Sequence, residues 1–251
     1  MKKYEKTLAN SVDIIVNLSI LLKIDGIATN QNSDGKVKTC RTKEAYLEND
    51  KIKSEIPFDL RQCITFHGHL CPGLVYGYLV AKESIRLLGL KRSADEEVVA
   101  VCENDSCAID ALQVMLGTTA GKGNLIIKDY GKNSYTIINR TKKQAYRFSR
   151  KTSYIYAGKH KDEFEALEKA VSAGTANEQE SLRQRLLKAI DLFSRPFDEV
   201  FSTKISEVPV PSYATITPSV SCAICGEMTM QTKMVSGKDG KLLCIPCSKN
   251  N

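Results

Sequence analysis

The chain has 251 residues, of which 42% are hydrophobic and 26% are charged, and these values exclude a disordered or fibrous protein. It contains no run of about eighteen apolar residues, so no membrane-spanning helix is expected. The formal net charge is +7, but lysine and arginine are spread along the whole chain. This spread favours a role in solubility, since a nucleic-acid-binding surface would require a clustered basic patch.

The N-terminal residues form the first predicted element. Apolar residues at mostly helical spacing predict an amphipathic helix over residues 1–24, within a helical extension over residues 1–56. Asp13 and Asn17 interrupt its apolar run, and no small-residue cleavage site follows, so a helix packed on the protein is favoured over a signal peptide.

Helices and strands alternate in the next part of the chain, which predicts an α+β core domain over residues 57–205. Apolar periodicity indicates the helices, and runs of valine, isoleucine and aromatic residues indicate the strands. In chain order the predictions are a short helix at 58–64, a helix at 72–88 that stops at Gly89, a strand at 97–103, a helix at 108–116, strands at 125–129, 135–139 and 145–148, and a helical region at 161–201 with breaks near Gly174 and at Pro196.

Three prolines, Pro209, Pro211 and Pro218, predict an extended linker over residues 206–218. The remaining segment, residues 219–251, has four cysteines and too few apolar residues for a core of its own. Such a segment needs a metal ion to fold.

These four cysteines have the spacing Cys222-x2-Cys225-x18-Cys244-x2-Cys247. Two C-x-x-C pairs can complete a tetrahedral site, which predicts a structural zinc in a small zinc ribbon or treble clef. An iron–sulfur or redox site is the alternative. The segment has no aromatic residue for stacking on bases, and Lys233, Lys238 and Lys241 are only weak support for nucleic-acid binding.

A second cluster lies at Phe66-His67-Gly68-His69-Leu70-Cys71-Pro72-Gly73, which holds two of the three histidines. If this segment is extended, His67, His69 and Cys71 point the same way and could bind one metal ion. The alternatives are histidines that bind backbone groups and a cysteine that is simply buried. Pro72 places Cys71 at the N-cap of a helix, where a thiolate, and hence a nucleophile or metal ligand, is favoured.

The junction between a predicted strand and helix contributes further candidates. Cys107 begins the helix, and Asp110 and Gln113 follow at steps of three on the same face. Cys107 and Asp110 could therefore reach the cluster of histidines and Cys71 as catalytic groups. Cys102 lies within the apolar strand predicted at residues 97–103, at a position where the alternation of side chains directs it into the core.

The glycine-rich stretch at residues 117–124 resembles a phosphate-binding P-loop but does not match it. Its glycine spacing is one residue short, Gly123 replaces the magnesium-binding hydroxyl, and it follows a helix instead of a strand. A plain turn and an anion-binding turn both remain open, with Lys122 as the residue that would act on a substrate.

These motifs together resemble the FmdE family of formylmethanofuran dehydrogenase proteins. The resemblance covers residues 59–150 and includes F-H-G-H-x-C-P-G-L, C-x2-D-A-x-Q at Cys107, G-x-T-x-G-K-G-N-L at Gly117 and D-x-G-K at Asp129. It implies an α+β core that forms intertwined homodimers and a cleft of histidine and cysteine side chains that often holds a metal. Many members also carry a C-terminal four-cysteine zinc module. Thr118 stands where the family often has a cysteine.

Two function classes remain. The first is a metal-binding enzyme or an accessory subunit of a larger oxidoreductase complex related to methanogenesis, with a second metal ion of unknown identity in the core. The second is a regulator or adaptor whose zinc module binds nucleic acid or protein. Whether the protein is an enzyme stays open. Nine cysteines, an odd number in a chain this long, favour reduced thiols in a cytoplasm over a disulfide framework.

Overall fold

The computed structural model describes residues 56–207, 209–237 and 239–249. The helix predicted at residues 1–24 lies outside the described residues, as does Lys238. Two compact units divide between Pro211 and Ser212, within the stretch predicted as a linker. Across the described ranges, no helix combines the length and the apolar character that crossing a membrane requires.

The helices of the first unit confirm most of the helical predictions. Gly68, in a left-handed conformation, ends the first helix at His67 instead of residue 64. The helix predicted at residues 72–88 has those bounds, with Pro72 in its first turn and Gly89 after its end. The helices are α1 Phe58–His67, α2 Pro72–Leu88, α3 Ala108–Leu116, α4 Lys161–Ser172, α5 Glu178–Phe193 and α6 Phe197–Val200.

A five-stranded sheet lies beside these helices, in the order β2-β1-β3-β4-β5. The β1 and β2 strands are parallel and α3 connects them, whereas the other pairs are antiparallel. The strands are β1 Val98–Cys102, β2 Leu125–Ile127, β3 Ser134–Asn139, β4 Gln144–Arg150 and β5 Phe201–Ile205.

The β5 strand had no sequence-based prediction, and only its first residue, Phe201, falls in the region that was expected to be helical. Pro196 interrupts the helices, and after the short α6 the chain turns extended at Phe201. Phe201 is almost fully buried and Ile205 is exposed, so the strand packs only one end into the core. All five of its residues pair with β4, and this pairing stabilises the extended conformation.

The core forms where α2 and α3 cover one face of the sheet. All five residues of β1 are buried. Ala100 and Cys102 pack in the main cluster with residues of both helices, while Val99 and Val101 belong to a separate cluster on the opposite face.

The α2 and α3 helices cross in unusually close contact at Gly77. A β-carbon at this position would lie 2.0 Å from the backbone oxygen of Ala108. Only glycine permits this approach, which sets the first turn of α3 against α2. The crossing also brings Cys107 against Gly73, one turn earlier on α2.

The second unit consists of two hairpins and a short helix. Its elements are β6 Ser219–Ser221, β7 Met228–Met230, a 3₁₀ turn at Gln231–Lys233, β8 Met234–Ser236, β9 Leu242–Cys244 and α7 Ile245–Lys249. Cys222 and Cys225 lie between β6 and β7, whereas Cys244 and Cys247 lie at the end of β9 and in α7. Of the two predicted alternatives, a treble clef, which ends in a helix, fits this order.

Candidate metal centres

His67 and Cys71 lie at the facing ends of two helices. His67 is the last residue of α1, Gly68 turns the chain at φ 92°, and Cys71 is the N-cap of α2. The expectation of one extended segment from His67 to Cys71 was therefore wrong. The segment is a helix end, a tight turn and a helix start, because Gly68 allows the left-handed conformation that reverses the chain.

The two histidines and Cys71 still converge. One potential ligand atom from each of His67, His69 and Cys71 lies within 4.8 Å of the other two. The two imidazole rings are 4.5 Å apart between centroids, and His67 Nε2 lies 3.6 Å from Cys71 Sγ. These three side chains could hold a metal ion.

Asp110 fixes the orientation of His67. Its Oδ2 atom lies 2.7 Å from His67 Nδ1, and its Oδ1 atom accepts a hydrogen bond of 3.2 Å from the Gln113 amide. A carboxylate only accepts, so Nδ1 carries a proton, and in the neutral ring the lone pair is on Nε2, which lies 3.6 Å from Cys71 Sγ. A carboxylate bound to the far nitrogen of a ligand histidine is the usual support of a metal site.

Two opposing effects act on the Cys71 thiol. The Leu74 N–H group donates to Cys71 Sγ over 3.4 Å, as the N-cap prediction implied. Burial acts the other way and is larger, so the pKa of Cys71 rises to about 11. The expectation that the helix start favours the thiolate is thus outweighed, because desolvation penalises the charged form more than the Leu74 and Gly73 N–H groups favour it.

Cys107 and Cys102, the other two cysteines weighed as site candidates, have different surroundings. Cys107 precedes α3, next to Gly73, and its thiol further raises the pKa of Cys71. Cys102 is fully buried in β1, where desolvation raises its pKa to about 12, as expected for a core residue. Cys107 and Asp110 therefore join the cluster, and Cys102 does not.

The glycine-rich turn is held together by protein groups. The Asn124 amide donates to the carbonyls of Asp95 and Val98 and accepts from the Thr119 N–H group. Lys122 Nζ donates to the carbonyls of Ser93 and Ala94 over 3.1 and 3.3 Å. These contacts give Lys122 a structural role, and it follows the opposite end of α3 from Cys107 and Asp110, so it does not join the cluster.

The four C-terminal cysteines meet as predicted. Their sulfur atoms lie within 4.8 Å of one another, and they could hold a metal ion. The Cys244 N–H group donates to Cys222 Sγ over 3.3 Å, and the sulfur atoms of Cys225 and Cys244 are 3.8 Å apart. Backbone N–H groups of Cys244, Cys225 and Ile224 lower the pKa of Cys222 to about 6, which favours the thiolate that a metal needs.

Two contacts of the core cluster were not predicted as such, although the shared helix face of Asp110 and Gln113 was. The bond from Gln113 to Asp110 follows a three-residue helical step, which is a signal that the sequence does contain. The contact of Cys107 with Gly73 depends on the helix crossing at Gly77, and no local pattern indicates it.

Two known proteins are similar to this chain over most of its length. A curated relative from Archaeoglobus fulgidus, described as a probable S-adenosyl-L-methionine-binding protein, is 27% identical over 216 residues. The match covers 82% of this chain but only 57% of that relative's length. A solved structure of a tungsten formylmethanofuran dehydrogenase FmdE-like protein from Syntrophus aciditrophicus is 16% identical, with a TM-score of 0.49, and the match covers 76% of this chain and 91% of that one.

The FmdE family, described as "Molybdenum formylmethanofuran dehydrogenase operon", matches residues 66–202. This range begins one residue before His67 and includes Cys71, Cys107 and Asp110. It also covers more than half of the 251 residues, and the chain therefore belongs to the FmdE family.

Proposed function

We propose that this protein is a metal-binding enzyme or an accessory subunit of an oxidoreductase complex, with its metal ion bound by His67, His69 and Cys71. The observation that carries the proposal is the convergence of these three side chains, whose ligand atoms lie within 4.8 Å of one another. The family's description by a dehydrogenase operon supports the role as a subunit related to methanogenesis.

The residues around the cluster support a metal ion better than a purely structural arrangement. His67 is oriented by Asp110, and Gln113 holds that carboxylate in turn. Imidazole and thiolate ligands suit zinc, iron, nickel or copper. Three protein ligands also leave one position open, as in catalytic sites. A metal ion bound here would supply a Lewis acid at that position.

Cys107 and Asp110 have separate roles in this proposal. Asp110 holds the proton of His67 Nδ1 and keeps Nε2 available for the metal. Cys107 lies close enough to Cys71 to change its ionisation, so it is placed to act as a further ligand or to exchange a proton with a bound molecule. We do not extend the catalytic proposal to Lys122, because its ammonium group binds backbone carbonyls.

The C-terminal cysteines form a structural zinc site in the same proposal. Four cysteine sulfur atoms around one metal ion fill its tetrahedral coordination and leave no site for a substrate. This arrangement is typical of structural zinc. The unit has a small buried cluster, Cys222, Leu243 and Cys244, so the metal ion would replace a hydrophobic core.

We also propose that the protein is a cytoplasmic homodimer. The sheet ends at β2 and β5, and the apolar side chains of Ile127 and Ile205 at these edges are 49% and 77% exposed. A second copy would cover such edges. All eight cysteines in the described ranges are free thiols, as a reducing compartment requires. Light scattering of the purified protein tests the dimer, and a monomeric mass would contradict it.

Metal content per chain tests the core site. Protein purified without added metal is analysed by mass spectrometry for four forms: wild type, Cys222→Ser with Cys225→Ser, this double variant with Cys71→Ser, and this double variant with Cys63→Ala. The double variant removes the C-terminal site, so any remaining metal belongs to the core. Cys63 is a buried cysteine that packs in the same apolar cluster as Cys71 but is not among the possible ligands, so it serves as the matched control.

We expect two metal ions in the wild type, one in the double variant, none after Cys71→Ser and one after Cys63→Ala. A double variant that is folded by circular dichroism but binds no metal, even when metal is added, would overturn the proposed core site.

A regulator or adaptor remains the second candidate function. Exposed apolar side chains on the C-terminal unit favour it, since Ile224, Met228 and Ile245 are 55%, 68% and 43% exposed. The lysines give it less support, because Lys241 is paired with Asp239 at 2.9 Å. Binding to a mixed RNA pool that weakens steeply with salt would favour nucleic acid as the partner.

A further inference from the structure

A cleft of about 310 Å³ lies beside the core cluster. Phe66 in its wall precedes His67 in the chain, and Gln113 in its wall donates to Asp110. The proposed metal site does not extend into this cleft and does not involve the remaining residues of its wall. The cleft is lined by Gln62, Phe66, Arg92, Gln113, Val114 and Thr119.

Arg92 gives this cleft a positioned positive charge. Its Nε atom donates to the carbonyl of Val114 over 2.9 Å, and its aliphatic stem passes so close to Gly117 that a β-carbon there would lie 3.1 Å from Arg92 Cγ. Within the described ranges, no carboxylate pairs with Arg92 and its two Nη groups have no acceptor. A guanidinium group fixed in this way presents a fork of N–H donors that matches a carboxylate.

The other groups in the wall are neutral. No acidic side chain lines the cleft. The Gln62 and Gln113 amides can donate, and the Thr119 hydroxyl accepts from the Lys122 N–H group, which leaves its own proton for a ligand. Phe66 is 59% exposed, and Val114 is the other apolar residue that lines the cleft. The cleft therefore combines one cation, several neutral donors and an apolar wall.

We infer that this cleft binds a small organic monocarboxylate, with the carboxylate on Arg92 and the apolar body against Phe66. Its volume is at the lower end of the range of ligand pockets, about 300–1,000 Å³, and suits a molecule of roughly ten non-hydrogen atoms. Inorganic phosphate would satisfy Arg92 but leave the Phe66 ring in water, so the apolar wall favours a carboxylic acid. Binding of the acid does not require a metal ion in the core cluster.

A fluorinated aromatic acid tests the assignment in the full-length protein. Binding of 4-fluorobenzoate is followed by fluorine NMR line broadening, and 4-fluorobenzamide is the matched neutral probe. Arg92→Gln removes the charge of the cleft, and Lys91→Gln removes the charge of its exposed neighbour, which lies outside the cleft wall. Cys71→Ser removes a ligand of the proposed metal site, so it tests whether the acid binds independently of the metal ion.

We expect saturable binding of 4-fluorobenzoate by the wild type, no detectable binding of 4-fluorobenzamide and a loss of about tenfold or more in affinity for Arg92→Gln. Lys91→Gln and Cys71→Ser should bind 4-fluorobenzoate as the wild type does. Absence of saturable binding, equal binding by Arg92→Gln or equal binding of 4-fluorobenzamide would overturn the carboxylate site. Displacement of the probe by an equal concentration of inorganic phosphate would overturn the preference for an organic acid. If Cys71→Ser loses its core metal but still binds the probe, the carboxylate site stands independently of the metal site.

Discussion

The contact between His67 and Asp110 shows how single residues set the chemistry of the core cluster. A hydrogen bond of 2.7 Å joins residues that are 43 positions apart in the chain. It selects the tautomer in which Nε2 is unprotonated, and this nitrogen lies 3.6 Å from Cys71 Sγ. In the proposed metal site, binding would therefore depend on Asp110, a residue that is not itself a ligand.

Asp110→Asn tests this dependence. An amide can also donate to the ring, so it no longer fixes the tautomer that directs Nε2 at the cluster. We expect the affinity of the core site for zinc to fall about 10–100-fold while the fold is kept. A competition titration with a chromophoric chelator measures it in the variant that lacks Cys222 and Cys225. Asp105→Asn, at an exposed position in the loop before α3, should leave the affinity unchanged. Equal affinities for both variants would contradict the role of Asp110.

Glu97 makes a pH-dependent contribution to stability. Hydrogen bonds from the Ser93 hydroxyl and from backbone N–H groups, including that of Asp95, lower its pKa from 4.5 to about 2. A folded pKa below the unfolded value means that the ionised form stabilises the protein above about pH 4.5. This contribution is lost as the pH falls towards about 2.

The melting temperatures of the wild type and Glu97→Gln, measured by circular dichroism from pH 2 to pH 7, check this sign. The wild type should melt higher above about pH 5, and the difference should shrink towards pH 2. Glu199→Gln removes a carboxylate at an exposed position on α6 and controls for the loss of one negative charge. A Glu97→Gln difference that grows as the pH falls would show that the sign is wrong.

At the scale of secondary-structure elements, the crossing of α2 and α3 places both halves of the core cluster. Periodicity predicted both helices with the bounds that the structure has. Their contact distance was not predictable, because it depends on which side of each helix meets the other. Gly77 lies on the side of α2 that meets α3, but a glycine inside a helix does not indicate which element packs against it.

Gly77→Ala is expected to destabilise the protein strongly. The added methyl group would lie 2.0 Å from the Ala108 oxygen, so the helices must move apart. We expect a loss of about 1–3 kcal/mol in the free energy of unfolding, measured by urea denaturation, together with weaker metal binding in the core.

Gly121→Ala is the matched control, since a β-carbon there meets nothing within 4 Å. It should change the free energy of unfolding by no more than about 0.5 kcal/mol. If Gly77→Ala leaves the free energy of unfolding unchanged, the two helices lie farther apart than in the structure.

At the scale of the whole molecule, the chain combines two units with different sources of stability. The first has an extensive buried cluster between helices and sheet, whereas the cluster of the second has three buried residues. The small unit cannot offset its conformational entropy by burial alone. We therefore expect a metal ion bound by its four cysteines to supply most of its folding free energy.

Hydrogen exchange followed by mass spectrometry tests this difference in the full chain. Cys222→Ser with Cys225→Ser should abolish protection in residues 219–237 and 239–249 and leave β1, α2 and α3 protected as in the wild type. Ser248→Ala removes a hydrogen bond in the same unit without touching a sulfur atom and should change little. Retained protection of the second unit in the double variant would show that it folds without its metal.

The sequence by itself determined the elements with strong periodicity, the four-cysteine site and the identity of the residues in the core cluster. These follow from spacings along the chain, since a helical period and a C-x-x-C pair are local properties. Tertiary structure alone decided the pairing of β5 and the bond from Asp110 to His67. It also decided the protonation of Cys71, because desolvation depends on everything packed around a thiol, whereas the helix start that favours the thiolate is visible in the sequence.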